Sequence, residues 1–390
     1  MIDYESILNP TVLNDIKPSG IRKFFDIASS MEGVISLGVG EPDFPTPWHV
    51  RRAGIKSLEE SKTRYTSNAG LIELRQEICG FLQRKYDLEY CPDSEVLVTV
   101  GGSEGIDAAI RALVAYGDEV IIPQPSFVCY EPIVRLAGGI PVPLELKAEN
   151  EFRLTANELR RAITDKTKLL VFPFPCNPTG AIMEREDLEQ IADVLRATKV
   201  CVLSDEIYSE LTYGGKRHVS IASIDGMRER TVVINGFSKT YSMTGWRMGY
   251  ACAPSPIIKQ MTKIHQYAIM SAPTTAQYAS IEALKKGDED IERMREEYDM
   301  RRCLTVNGFN KLGMDCFEPK GAFYVFPSIK KTGLSSEEFC ERLLLTKKVA
   351  VVPGNAFGNS GEGFVRVSYC YSTGHIKEAL SRIEEFLREL

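Results

Sequence analysis

No apolar run in the 390-residue sequence approaches the ~18–20 residues that a membrane-spanning helix needs. The start, Met1-Ile-Asp-Tyr-Glu, has no basic stretch leading into an apolar one, so no secretory leader is expected. Cysteine occurs ten times but never as C-x-x-C, and several copies sit in apolar runs, such as Cys201 in Val200-Cys-Val-Leu and Cys252 in Tyr250-Ala-Cys-Ala. These are expected to be free thiols used as small buried side chains. Positive charge is not in excess: Lys+Arg 47 against Asp+Glu 53 leave a net charge of −6. A generic binder of nucleic acid or anionic membrane would lean basic, so neither partner is expected. No internal repeat, low-complexity tract or flexible linker is visible. Cytoplasm is the expected compartment.

What is present is ordinary globular composition, 44% hydrophobic and 26% charged, which excludes wholesale disorder. At about 100–200 residues per domain, the length fits one large domain plus a smaller one. Short β-branched runs predict strands at 96–100, 119–123, 169–172, 200–204, 231–235 and 248–253. Several are apolar throughout, as in strands buried on both faces of a mainly parallel sheet. Helical patterns at 104–115, 127–136 and 184–195 separate them, which predicts a doubly wound α/β domain over residues 46–280. Beyond it, Ile291, Met294, Tyr298, Thr305, Phe309 and Leu312 keep helical spacing. Strands at 322–326, 349–352 and 364–369 and a final helix over 376–387 follow. A smaller α+β domain, formed by 1–45 and 281–390, is expected.

Three stretches carry chemistry. In Asn235-Gly-Phe-Ser-Lys-Thr-Tyr-Ser-Met-Thr-Gly-Trp-Arg, Lys239 follows an apolar strand, and the carboxyl edge of such a sheet is where α/β proteins bind ligands. A lysine attacks carbonyls only when neutral, and its ordinary pKa is about 10.4. Burial and a nearby cation lower it and favour Schiff-base chemistry. Arg247 is placed to supply that field and to grip a phosphate. In Val202-Leu-Ser-Asp-Glu-Ile-Tyr, a buried strand runs into Asp205, which suits a hydrogen bond from a protonated heteroaromatic nitrogen; Tyr208 follows three residues later. A helix N-cap is the plainer reading of Asp205. The third, Gly101-Gly-Ser-Glu-Gly between a strand and a helix, offers free backbone N–H groups to a phosphate. It also matches G-x-S-x-G, the nucleophile elbow of serine hydrolases, with Ser103 as nucleophile and only His218, His265 and His375 downstream to serve it.

Two weaker signals accompany them. Pro173-Phe-Pro-Cys-Asn-Pro-Thr-Gly follows a strand, and its prolines restrict the backbone around Asn177. Phe364-Val-Arg-Val-Ser-Tyr alternates as a strand, so Arg366 is expected on the face opposite its apolar neighbours, with a guanidinium suited to a carboxylate.

Taken together and in this order, these blocks resemble a fold-type I pyridoxal-phosphate aminotransferase of class I/II. The likeness rests on Phe237-Ser-Lys-Thr-Tyr-Ser-Met-Thr-Gly-Trp-Arg, Ser204-Asp-Glu-Ile-Tyr, Asn177-Pro-Thr-Gly and Gly38-Val-Gly-Glu-Pro-Asp-Phe, and runs from about Ser19 onward. Arg64-Tyr-Thr-Ser-Asn-Ala-Gly-Leu and Lys263-Ile-His-Gln-Tyr are similar to a bacterial branch that includes aromatic-amino-acid, aspartate and N-acetyl-diaminopimelate aminotransferases.

The resemblance implies pyridoxal 5′-phosphate as cofactor, held as a Schiff base on Lys239, which then serves as general acid/base. It implies Asp205 on the ring nitrogen and Asn177 and Tyr208 on the ring hydroxyl, with Phe127 stacked on the ring. Gly102, Ser103, Glu104 (through its backbone), Ser238 and Arg247 would hold the phosphate. Arg366 would bind the substrate α-carboxylate, helped by the backbone near Gly40. Tyr65 would reach the neighbouring subunit's phosphate, implying a homodimer with shared active sites. The implied reaction is transamination between an amino acid, broad or aromatic-leaning, and a 2-oxo acid such as 2-oxoglutarate. An aspartate or N-acetyl-diaminopimelate enzyme, or a C–S lyase on the same cofactor, remains the alternative. Tyr267, Tyr324 and Ser19-Gly-Ile-Arg-Lys-Phe are expected to line the side-chain pocket, where Arg22 keeps a distal carboxylate possible.

Overall fold

The protein is described by a computed structural model covering residues 12–16 and 31–390. Its centre is a seven-stranded sheet: β2 (Val96–Thr99), β3 (Glu119–Gln124), β4 (Ile140–Glu145), β5 (Thr167–Phe172), β6 (Cys201–Asp205), β7 (Thr231–Gly236) and β8 (Gly249–Cys252). In space the order is β2-β8-β7-β6-β5-β3-β4. All neighbours are parallel except those of β8, which runs antiparallel to β2 and β7. The predicted strands are therefore present, and β4 was missed. It is the sheet's edge, mostly open to solvent, and carries Pro141 and Pro143, which read as breaks rather than as a strand.

Runs such as Leu169-Leu-Val-Phe and Val232-Val-Ile are fully buried because helices cover both faces. The helix Gly101–Leu113 lays Ile106, Ala109 and Ile110 into a cluster with Leu203, Val232 and Ile234. Each such isoleucine contributes roughly 1.5–3 kcal/mol by leaving water. The predicted helix at 127–136 starts later, at Tyr130, so Phe127 lies in the turn before it. All ten cysteines are free; Cys91 and Cys303, however, are exposed rather than buried.

The 24-residue helix Asp288–Lys311 leads out of this layer. A second core gathers around it: Tyr298, Phe309, Phe323, Tyr324, Leu343, Val367 and Phe386. There, β9 (Tyr324–Val325), β11 (Val352–Pro353) and β12 (Val365–Ser368) form a three-stranded antiparallel sheet, and β1 (Ile35–Ser36) pairs in parallel with β10 (Val349–Ala350). Strand β12 is buried along its whole length, so Arg366, on the face opposite Val365 and Val367, is only 3% exposed. Among the described residues no helix is long and apolar enough to cross a membrane.

Candidate active site

Parallel strands deliver their carboxyl ends to one edge, and the motifs arrive there together. β6 ends at Asp205, and β7 ends at Gly236, two residues before Ser238. β2 turns at Val100 into the helix Gly101–Leu113. β5 leads to Pro173–Asn177, and β3 to Phe127 and Tyr130. Because β8 runs the other way, its start lies at this same edge, which brings Arg247 beside the others. They surround a cavity of about 350 Å³. Of the residues that the resemblance assigns to cofactor, catalysis or the substrate carboxylate, all but Glu104 and Tyr65 line it. Tyr65 is 82% exposed, and so is most of Tyr267, which does not reach the cavity. Tyr324 does line it, whereas Ser19–Phe24 and Arg22 lie outside the described residues.

Lys239 Nζ donates to the Gly40 carbonyl over 2.6 Å. Burial is the main cause that lowers its pKa to about 8; Cys370 and Glu41 oppose the shift, while Arg366 and Arg247 add to it. The shift brings the neutral, nucleophilic amine within reach near physiological pH, where an ordinary lysine is almost wholly charged. Asp205 is pushed up by burial and pulled back by two hydrogen bonds. Tyr130 Oη donates to Oδ2 over 2.7 Å, and the Ile207 N–H donates to Oδ1 over 3.2 Å. Glu206, next along the chain, faces away from the cavity lining and accepts from Ser204 and Ser220, with His218 Nε2 2.9 Å from its other oxygen.

Arg366 donates through Nη1 to Asn177 Oδ1 over 2.9 Å and through Nη2 to the Gly38 carbonyl over 2.5 Å. Its guanidinium lies 4.5 Å from the Tyr324 ring centre and 4.8 Å from that of Phe357, a sandwich that fixes its plane. The Tyr208 and Tyr324 hydroxyls are 2.9 Å apart. Burial raises both: Tyr208 well above its ordinary value and Tyr324 to about 12, so both stay protonated at neutral pH.

Two residues here were not singled out from the sequence. Tyr130 sits in no motif, and only the fold brings its hydroxyl to Asp205. Thr244 lines the cavity wall and donates to Glu41, tying the Gly38–Thr46 segment to the loop before Arg247. The histidines that a Ser103 hydrolase would need are engaged elsewhere: His218 with Glu206, His265 with Glu104 and His375 with Ser372.

A parallel sheet whose carboxyl edge gathers a desolvated lysine, a buried aspartate and a glycine-rich helix start defines a class of cofactor enzyme. Residues 32–383 match the family model "Aminotransferase class I and II". The chain is 55% identical to the Bacillus subtilis protein YugH, over 97% of each. It is 48% identical to an aspartate aminotransferase of Pyrococcus abyssi, again over 97% of each. The solved aromatic aminotransferase of Pyrococcus horikoshii superposes with a TM-score of 0.90 at 45% identity, covering 94% of this chain and 99% of its own. The chain belongs to the class I and II aminotransferases. It is an enzyme that transfers amino groups between amino acids and 2-oxo acids with pyridoxal 5′-phosphate.

The residues present fit that cofactor. At Gly101, φ is +75° and a Cβ would run into Arg247 Nη2, so the glycine leaves the helix start open beside a cation, as a phosphate requires. Arg366, which lines the same cavity, has its Nε buried with no hydrogen-bond partner among the described residues, an unsatisfied donor on a group suited to a carboxylate.

Proposed function

We propose that Lys239 is the residue that carries the cofactor and moves the proton, and that the enzyme takes a broad or aromatic-leaning set of amino acids, with 2-oxoglutarate as acceptor. The observation that carries this reading is the meeting of Lys239 Nζ, Asp205 and Arg366 on one cavity. Bound pyridoxal phosphate supplies the carbonyl for covalent attachment and the electron sink. Asp205, whose carboxylate accepts from Tyr130 and the Ile207 N–H, is placed to hold a proton on the ring nitrogen. Phe127 stacks on the ring, and Asn177 and Tyr208 hydrogen-bond its hydroxyl oxygen. The N–H groups from Gly102 to Glu104, the Ser103 and Ser238 hydroxyls and Arg247 hold the phosphate. Arg366, with the backbone near Gly40, takes the substrate α-carboxylate. Once displaced, Lys239 Nζ removes the proton from the substrate Cα, which its pKa of about 8 suits. Arg366 serves amino acid and oxo acid alike, since both enter the same cavity.

The aromatic leaning rests on the cavity wall. Beyond Lys239, Arg247 and Arg366, no cation lines it among the described residues, and Tyr324, Ile207 and Pro175 give apolar surface for a large side chain. The relatives are named for aspartate as well as for aromatic amino acids. Steady-state rates with phenylalanine, aspartate and N-acetyl-diaminopimelate test the reading. It expects phenylalanine to be turned over, and it fails if one non-aromatic donor alone works.

The same reading divides the chain into a cofactor-binding domain over 46–280 and a smaller one from 1–45 and 281–390, working in the cytoplasm as a homodimer. The exposed Tyr65 supports the dimer. Asn68 Nδ2 donates to the Met270 carbonyl and Thr274 Oγ1 to that of Arg64, so the loop carrying Tyr65 is tied to a segment that also exposes Tyr267, Ile269 and Met270. Such a patch suits a second copy, from which Tyr65 reaches the partner's phosphate.

A further inference from the structure

The first turn of the helix Gly101–Leu113 contains an acid, although an anion is to bind there. Glu104 projects its carboxylate away from the cavity it helps to frame. Oε2 accepts from the Val100 N–H, the backbone donor just ahead of the helix. Oε1 lies 2.5 Å from Nδ1 of His265, on the helix Ser255–Ala268 packed alongside. An ionised carboxylate only accepts, so Nδ1 carries the proton of this bond. His265 is fully buried, and its Nε2 has no hydrogen-bond partner. A buried imidazole with one nitrogen unsatisfied is costly to keep, and among the described residues Glu104 is the one polar group its ring meets.

We propose that His265 is a positioning residue for the cofactor phosphate: it holds the Glu104 carboxylate behind the helix start, so that the first-turn N–H groups stay free for the phosphate. The inference rests on the phosphate placement given under Proposed function. A glutamate in a helix's first turn, left untethered, is drawn by the same free N–H groups and the same dipole that attract a phosphate. Without His265 the chain's own carboxylate competes with the ligand from within the helix. With His265 the acid satisfies one orphan donor, at Val100, and leaves the others open.

The test is retention of pyridoxal phosphate by the purified holoenzyme, read as the apparent dissociation constant from absorbance after equilibrium dialysis. His265→Leu should weaken retention about tenfold, the size of a charge effect at a helix end. His265→Asn, whose amide N–H replaces Nδ1–H, should retain the cofactor nearly as wild type does. The double variant His265→Leu/Glu104→Gln should recover most of the loss, because a neutral amide competes poorly with a phosphate. A purely structural histidine predicts the opposite for the double variant: no recovery, or a further loss. Melting temperatures check that each variant is folded. If the leucine variants do not fold, Glu104→Asp, too short to reach His265, must show the same weakening with His265 intact. Wild-type retention in His265→Leu, or a double variant no better than the single, overturns the inference. A wild-type protein that binds no pyridoxal phosphate overturns instead the placement on which it rests.

Discussion

The Tyr130 hydroxyl donates to Asp205 Oδ2 over 2.7 Å inside the sheet's carboxyl edge, and both groups are buried. Burial alone pushes Asp205 toward its neutral acid, which would forfeit the anion that keeps a pyridine nitrogen protonated. Tyr130 and the Ile207 N–H pull it back. The tyrosine thus sets the state of the aspartate rather than touching substrate. Tyr130→Phe should raise the Asp205 pKa further and lower kcat/KM about tenfold or more, as losing a bond to a buried carboxylate implies. The acid limb of the pH–rate profile should move to higher pH. An unchanged profile would contradict this role.

Lys239 makes a stability prediction whose sign follows from its pKa. The folded value of about 8 lies below the ordinary 10.5. Below pH 8 the folded chain carries a charge that burial disfavours, and the cost is present in full. It is relieved as pH rises from 8 toward 10.5, where the unfolded chain also loses the proton. Cofactor-free Lys239→Met should therefore be more stable than the cofactor-free wild type at pH 7, by about 2 kcal/mol. The gap should close by pH 10.5. Urea unfolding at the two pH values checks it.

Arg366 offers the substrate a planar guanidinium braced by Asn177, the Gly38 carbonyl and the rings of Tyr324 and Phe357. Lysine cannot reproduce that fork. Arg366→Lys should raise KM for the amino acid and for the 2-oxo acid together, by about 100-fold, with a smaller fall in kcat. A rise for one substrate alone would mean that the two carboxylates bind at different places.

The segment carrying Gly38 and Gly40 is pinned from behind. Arg301, buried on the long helix, donates through Nη1 to both carboxylate oxygens of Asp43 at 2.9 and 2.8 Å and through Nε to Glu297. Asp43→Asn leaves that guanidinium partly unpaired. It should cost about 2 kcal/mol in urea unfolding. It should also raise KM, since Gly38 orients Arg366 and Gly40 holds Lys239.

Apolar strands between helices were legible because a sheet covered on both faces leaves no polar alternation to confuse the pattern: 231–235 was expected and β7 spans Thr231–Gly236. The edge strand β4 was not, because exposure and two prolines remove that signal. Lys239 and Asp205, singled out from local motifs, both line the cavity. Tyr130 was not singled out, since its partner stands 75 positions away in the chain. Arg366 was singled out from the alternation, which did not reveal that β12 lies between two other strands and is buried throughout. Tyr267 reads as a pocket aromatic and is instead a surface one. Periodicity reports which face is wet; it does not report what a third element will cover.

The central claim is that Lys239 carries the cofactor. The most direct test is the visible absorption spectrum of the purified protein beside Lys239→Ala, before and after adding amino acids. The account predicts a yellow, pH-dependent band in the wild type, bleached by a productive amino acid and restored by a 2-oxo acid, and a variant that lacks the wild-type band and its cycle. A protein that stays colourless with added pyridoxal phosphate, or a Lys239→Ala variant with the wild-type band and cycle intact, would contradict it.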